Sequence, residues 1–422
     1  MPPPNKPLPP LTPTQSKSHK TKSLMTPRNK ALRHPAADAL LQYATDGCPL
    51  DCGQDWTLAQ MEAAIQKGPH QSAQLPKASK ALRTEALERI AEGSCRVVKW
   101  KDIKDNPPPK LKISPIAAIP HKSRDYRMIL DLSYELKLKK EQLKSVNKAS
   151  NKDLAPQHSM YELGNVIPRI IWTMAKAPDT GVPILFSKID LKDGYWRMVV
   201  SEPDTWNFAY VLPPLNPGDD IELVIPDALQ MGWSESPPFF CAATETARDI
   251  AESNFSSPTT QQAHPMEDIV LDINWAKIPK VDRDPNEAFL HLLEVYIDDF
   301  LALIQSTNKD HITKLTRSLL NAISDIFPPP SITGSKMGPP ISVKKLITEG
   351  TRETRKEILG WLLDGIALTI ELSNTKCDSI LAELRAVRRL TKVPRHPLTA
   401  ITGQTPIRIN YITHWGTTTR TN

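Results

Sequence analysis

The chain has 422 residues and a formal net charge of +6, so it is long enough for more than one domain and mildly basic, which suits a polyanionic partner without requiring one. A hydrophobic content of 40% supports a sizeable core, and five scattered cysteines exclude a disulfide framework and point to a reducing compartment. With no apolar run long enough to span a bilayer and no secretion signal, the expectation is an intracellular protein, cytoplasmic or nuclear, without a membrane partner.

Residues 1–36 are proline-rich and basic, and Asp38 is the first acidic residue. Such a segment buries too little apolar surface to offset its ordering entropy, so a disordered tail is expected, able at most to tether nucleic acid electrostatically. Two helical patterns follow, one over Leu58–Ile65 and one over Ala78–Ala91 with Leu82, Ala86, Leu87 and Ile90 on one stripe. Pro107, Pro108 and Pro109 force an extended link. The runs Ile113–Pro120 and Tyr126–Leu132 then predict a hairpin with the basic tip His121-Lys122-Ser123-Arg124-Asp125.

Ile184–Ile189 predicts a strand ending at Asp190. Asn207–Leu212 and Ile221–Ile225 predict two more strands around a turn at 216–220. Ser236 before Pro237 predicts an N-cap, opening a helix with Phe239, Phe240, Ala243, Ala247 and Ile250 on one stripe. The stretch near 254–290 lacks a period and is expected to be an insertion.

Leu292–Ile304 predicts a hairpin with Asp298-Asp299 at its tip, and Ile312, Leu315, Leu319, Ala322 and Ile326 predict an amphipathic helix stopped by Pro328. Ile358–Ile370 predicts a hairpin turning at Asp364-Gly365, followed by a basic helix from Thr375 to about Leu390 that includes Arg385, Arg388 and Arg389.

The chemistry is expected at the carboxylates. Asp298 and Asp299 stand between β-branched and aromatic residues, where a hairpin tip ordinarily uses Asn-Gly or Asp-Gly. Charges there must be paired, solvated or bound to a metal. Adding Asp190 from a separate strand end gives a three-carboxylate set suited to two Mg²⁺ (or Mn²⁺) ions about 3.5–4 Å apart, the arrangement used for phosphoryl transfer. A solvated turn is the bland alternative. A nucleotide hydrolase would need a glycine-rich phosphate loop, which the sequence lacks. Cys48 and Cys52 have no second ligand pair for a zinc site.

Several motifs in order make the sequence similar to the reverse transcriptases of retrotransposons. Phe186-Ser187-Lys188-Ile189-Asp190-Leu191-Lys192-Asp193-Gly194-Tyr195 resembles the first catalytic motif of that family, Leu229–Pro237 the second, and Tyr296-Ile297-Asp298-Asp299 the catalytic aspartate motif. Leu359-Gly360-Trp361 is similar to the primer-grip hairpin, and Pro120–Asp131 to the fingers hairpin.

The resemblance covers about 101–390 and implies an α+β, right-hand polymerase fold: fingers, a palm made of antiparallel sheet plus helices, and a partial thumb. The corresponding division is 37–180 for N-terminal helices and fingers, 181–372 for the palm, 373–396 for the partial thumb and 397–422 for a polar tail. It also implies an RNA template, a DNA primer and dNTPs as partners. Asp190, Asp298 and Asp299 would be catalytic metal ligands, and Lys122 and Arg127 triphosphate ligands. Tyr195 would exclude a 2′-OH, and Gly232 would let the backbone approach the nucleotide. Lys344 or Lys345 would protonate the leaving pyrophosphate. Met231 departs from the glutamine of some relatives.

Two rival readings have distinct consequences. An RNA-dependent RNA polymerase would accept NTPs, against which Tyr195 speaks. No RNase H carboxylate set, integrase-like zinc pattern or protease motif is seen, so a truncated, catalytically inactive retroelement remnant that only binds nucleic acid is the other alternative.

Overall fold

The computed structural model describes residues 34–121, 125–139, 141–216, 218–278, 290–334 and 336–389. The basic tail up to residue 33, Lys122 at the hairpin tip, part of the insertion (279–289), the end of the thumb segment from 390 and the polar tail at 397–422 lie outside the described residues.

The N-terminal part is helical where the stripes predict it. After α1 (Ala37–Asp46), α2 (Leu58–Lys67) starts at a capping box: Thr57 Oγ1 accepts from Gln60 N and Gln60 Oε1 from Thr57 N, satisfying otherwise orphaned N–H groups. A short turn of helix, α3 (Gln71–Gln74), leads to α4 (Pro76–Glu92), which has proline in its first turn and closes on Gly93 at φ +77°. Then come β1 (Cys95–Lys99), the single helical turn α5 (Trp100–Ile103), and the hairpin β2 (Ile116–Pro120) and β3 (Tyr126–Leu130), paired from Ile116↔Leu130 to Pro120↔Tyr126.

Beyond α6 (Val146–Ala149) and α7 (Val166–Ala175), the chain enters β4 (Leu185–Asp190). The two-residue β5 (Tyr210–Val211) and β6 (Glu222–Pro226) join β1 in a sheet of order β1-β6-β5. Helix α8 (Ser236–Ser256) and the short α9 (Glu267–Val270) precede β7 (Leu290–Tyr296) and β8 (Asp299–Gln305). Helix α10 (Lys309–Ile326) and the single turns α11 (Pro330–Thr333) and α12 (Val343–Lys345) follow. A π-helical segment, Leu346–Gly350, leads to the meander β9 (Arg355–Ile358), β10 (Trp361–Asp364), β11 (Thr369–Leu372) and to α13 (Asn374–Arg388). The molecule is thus mixed helix and sheet with small antiparallel sheets.

The sheet that matters most has order β4-β8-β7, with β8 central and buried along nearly its whole length. Side chains alternate across it with period two. Phe300, Ala302 and Ile304 of β8, with Leu185 and Ile189 of β4, pack on the buried stripes of α8 and α10. Leu301, Leu303 and Phe186 face the other way, onto Val166 and Ile170 of α7 and Ile358 and Leu363 of the meander. On that second face Lys188, Asp190 and Asp299 replace apolar residues toward one end, so the apolar sheet face gives way to a half-buried, charged ledge there. Paired backbone bonds between Phe186 and Glu353 (2.8 and 3.0 Å) attach the meander to the edge of β4.

Several expectations require correction. Ser236 is not an N-cap: Glu235 holds that position, and the Ser236 hydroxyl, inside the first turn, donates to the Gln230 carbonyl (2.8 Å). Asn207 and Phe208 belong to a 3₁₀ helix, Glu202–Phe208, because Asn207 is tied back to the Asp204 carbonyl (2.9 Å) instead of a ladder. The Ile358–Ile370 hairpin is the middle of a three-stranded meander. Its first turn, Leu359-Gly360, has φ +49° and +76°, the double left-handed conformation of a two-residue hairpin loop. The strand predicted from Ile113 begins at Ile116, and α8 runs on into the expected insertion as far as Ser256.

Leu319 is 1% exposed on the face of α10 that packs on α8. Leu319→Ala is therefore expected to lower unfolding free energy by about 2–5 kcal/mol in a denaturant titration. A loss below about 1 kcal/mol would contradict this packing.

Candidate active site

β4 and β8 align Asp190 with Asp299 as cross-strand partners, while Tyr296 also pairs with Asp299, leaving a two-residue turn of Ile297 and Asp298. Asp299 is therefore the first residue of a strand, and Asp298 alone is in the turn. Ile297 takes φ +58°, a region where a β-branched side chain is strained. The strain is held by the surroundings: Leu191 N donates to the Asp298 carbonyl (3.0 Å), locking the turn to the end of β4. Asp190 and Asp298 are thereby held as neighbours.

The electrostatics of that neighbourhood are unfavourable by themselves. Burial, then the charge of Asp190, raises the Asp298 carboxyl above its ordinary range, although Lys345 and Lys188 oppose the shift. Burial pushes Asp299 up to about 6, outweighing the pull of Lys188. Lys188 Nζ lies 3.2 Å from Asp299 Oδ1 and 3.1 Å from Glu349 Oε2. Burial would lower the Lys188 ammonium, but Asp299 and Glu349 more than offset it and leave it raised. Lys345 Nζ, half exposed at the start of the π-helical segment, sits 2.6 Å from Asp190 Oδ2. It is brought there by the preceding strand-like segment, where Leu191 bridges Ile341 and Lys192 N donates to the Pro340 carbonyl (2.8 Å). Of the two lysines expected near the carboxylates, the ion pair belongs to Lys345.

Asp190, Asp298 and Lys345 open on a cleft of about 510 Å³. β2 and β3 contribute Ile116, Arg127, Met128 and Leu130, and α4 contributes Leu82, Glu85, Ala86 and Arg89. The stretch Asp190–Trp196, Gln230 and Met231, Phe240, and Ile297 with Asp298 complete the walls, with Ser342 and Lys345 at one side. Arg127 forms no ion pair among the described residues, and its Nε is buried without a hydrogen-bond partner, a donor unsatisfied at the cleft wall. Tyr195 meets Phe240 edge to face (ring centroids 5.1 Å apart), and burial, then Cys241 and Asp298, raises its phenol.

Asp190, Asp298, Arg127 and Tyr195 are thus brought together. Asp299 stands behind the cleft, held by Lys188. Gly232 is not on the cleft wall: at φ +107° it presses against β3, where a Cβ would lie 2.5 Å from the Leu130 carbonyl oxygen. Lys122 lies outside the described residues. Arg89, Lys188 and Arg197 were missed by sequence reasoning, since each reads as an ordinary basic residue. The only signal was Asp193, an acidic residue in the same motif that requires a partner.

The donors present suit a hard divalent ion: the Asp190 carboxylate, paired with Lys345, stands beside Asp298, whose carboxyl is raised by burial and by the Asp190 charge. Among the described residues no group of three or more His, Cys, Asp or Glu side chains forms a metal cage. An ion held by Asp190 and Asp298 would therefore complete its shell with substrate oxygens and water, as Mg²⁺ commonly does.

No protein-family model matches the chain, and no curated protein matches it. Among solved structures it is similar to the foamy viral protease-reverse transcriptase in complex with double-stranded DNA, at 17% identity and a TM-score of 0.40, over 79% of this chain and 41% of that one. It is also similar to the same viral protein in complex with an RNA/DNA hybrid, at 16% identity and a TM-score of 0.41, over 78% of this chain and 30% of that one. The chain spans less than half the length of those chains. At this level the likeness is a distant resemblance in chain path and does not fix an activity.

Because the folded carboxyl of Asp299 is raised, the folded state holds more protons than the unfolded state between about pH 4 and 6. Its ionisation then costs stability as pH rises through that window. Asp299→Asn is expected to be more stable than the parent at pH 8, by on the order of 2 kcal/mol, with the difference vanishing near pH 4. Denaturant titrations at both pH values check this. A difference independent of pH would mean that the ion pair with Lys188 just balances burial, and a variant less stable than the parent at pH 8 would mean that it outweighs burial.

Proposed function

We propose that the chain is a template-directed nucleotidyltransferase of the reverse transcriptase kind, extending a DNA primer with dNTPs on an RNA or DNA template. The observation that carries this reading is the joint placement of Asp190 and Asp298, two desolvated carboxylates, in one cleft with the unpaired Nε of Arg127 and the ring of Tyr195. In this reading the β2–β3 hairpin and α4 are fingers, the β4-β8-β7 sheet with α8 and α10 is the palm, and α13 begins a thumb.

Asp190 and Asp298 would hold two Mg²⁺ ions, with Asp299 supporting them from behind; bound there, the ions would polarise the α-phosphate and lower the pKa of the primer hydroxyl. The 3′-hydroxyl oxygen forms a bond to the α-phosphorus, the bond to the pyrophosphate oxygen breaks, and the hydroxyl proton leaves to solvent. Arg127 presents charge-assisted donors to the triphosphate. Tyr195, backed by Phe240, gives the sugar a rigid wall that a 2′-hydroxyl would strike. Lys345, paired with Asp190 at the side of the cleft, would be free to turn toward the phosphates when an ion occupies that carboxylate.

The reading in which the chain only binds nucleic acid has one observation in its favour: Asp190 is already neutralised by Lys345. Primer extension separates the two. With an RNA template, a DNA primer and Mg²⁺, the full chain is expected to incorporate dNTPs but not NTPs, and Asp298→Asn is expected to abolish extension while retaining duplex binding. A folded protein that binds the duplex yet never extends it would establish the binding-only reading.

Arg127→Ala removes a charge-assisted contact worth about 1.5–3 kcal/mol, so KM for dNTP is expected to rise about tenfold to a hundredfold. Steady-state kinetics at saturating primer check this. An unchanged KM would remove Arg127 from the triphosphate site.

A further inference from the structure

The turn that carries Tyr195 has a backbone its residues do not favour. Asp193 sits at φ +58°, ψ +33°, the left-handed region where the Cβ of a non-glycine residue crowds the following carbonyl. Two arginines from different parts of the chain hold it there. Arg197, 1% exposed, donates from Nε to the Lys192 carbonyl (2.7 Å) and from Nη2 to the carbonyls of Gly338 (3.1 Å) and Pro339 (2.9 Å). That ties the turn to the loop between α11 and α12.

Arg89 reaches the same turn from the opposite side. Its Nη2 lies 2.7 Å from Asp193 Oδ1, its Nη1 2.8 Å from Glu92 Oε2, and its guanidinium carbon 4.7 Å from the ring centroid of Trp196. One guanidinium therefore grips both residues that flank Gly194-Tyr195, through an ion pair on one side and a cation–π contact on the other. The side chain is 11% exposed, so the ion pair with Asp193 is shielded from bulk water. Across the ring, Phe240 packs edge-on against Tyr195 and would lie 3.0 Å from a Cβ at Gly194. Tyr195 is thus set between a fixed wall on α8 and a clamp on α4.

We propose that Arg89 is a positioning residue for sugar selection: through Asp193 and Trp196 it sets where the Tyr195 ring stands in the cleft. This rests on the polymerase reading above. A lysine would keep the charge but lose both the flat face over Trp196 and the second fixed N–H, so it replaces the clamp only in part.

The test is the ratio of kcat/KM for a dNTP to that for the matching NTP, measured by primer extension with the full chain, its Arg89→Met and Arg89→Lys variants, and Leu319→Ala as a destabilised control remote from the turn. The expected result is a ratio at least tenfold lower in Arg89→Met, partly restored in Arg89→Lys and unchanged in Leu319→Ala. A loss of dNTP and NTP incorporation by the same factor in Arg89→Met would overturn the assignment, because it would show a general structural role. The same holds if Leu319→Ala lowers the ratio as much. Absence of any extension by the parent chain would instead overturn the polymerase reading, and the positioning role with it.

Discussion

The structure depends on one unfavourable arrangement: two carboxylates, Asp190 and Asp298, desolvated side by side at the end of a buried sheet. Like charges in a partly dry site repel each other more strongly than in water, and burial adds its own penalty. A fold tolerates this only where rigid surroundings enforce it. Here β8 is central in its sheet and covered on both faces, and the Leu191–Asp298 backbone bond holds the two chain segments that carry the carboxylates side by side. The left-handed Ile297 and Asp193 are local strains of the same kind, one beside each half of the pair.

The positive charges are graded around this centre. Lys188 answers Asp299 behind the ledge, Lys345 answers Asp190 at its mouth, and Arg127, on the cleft wall, forms no ion pair among the described residues. Arg89 and Arg197 are used differently, on the backbone and side chains of the turn next to Tyr195. Arg89 and Arg197 are buried and engaged on several partners, whereas Lys345 at the side of the cleft is half exposed with a single ion pair.

Much of this was legible in the sequence. The period-two runs gave β4 and the β7–β8 hairpin, and the apolar stripes gave α8 and α10, because each element buries one face on a single core. The unusual Asp298-Asp299 in an apolar hairpin marked the site itself. What was not legible came from long-range geometry. Arg89 and Asp193 are partners across 104 positions, and nothing local in α4 distinguishes Arg89 from a solvated helix cation. The choice between Lys344 and Lys345 depends on the segment before them, which the Leu191–Ile341 bridge and the Lys192–Pro340 backbone bond dock against the end of β4. Asn207 and Ser236 were misread because their side chains bond the backbone locally or across a loop, which propensity does not record.

The proposed metal site rests on Asp298, a carboxyl raised by burial and by the charge of Asp190, which a divalent ion together with nucleotide would hold ionised. It is tested most directly by carboxyl ¹³C NMR titration of Asp298, with Asp298→Asn to assign the resonance, in the absence and presence of Mg²⁺ and a non-hydrolysable dNTP. The account requires a carboxyl that titrates above the ordinary aspartate range in the free protein and falls well below it when both are bound. An ordinary titration that neither Mg²⁺ nor nucleotide moves would contradict it.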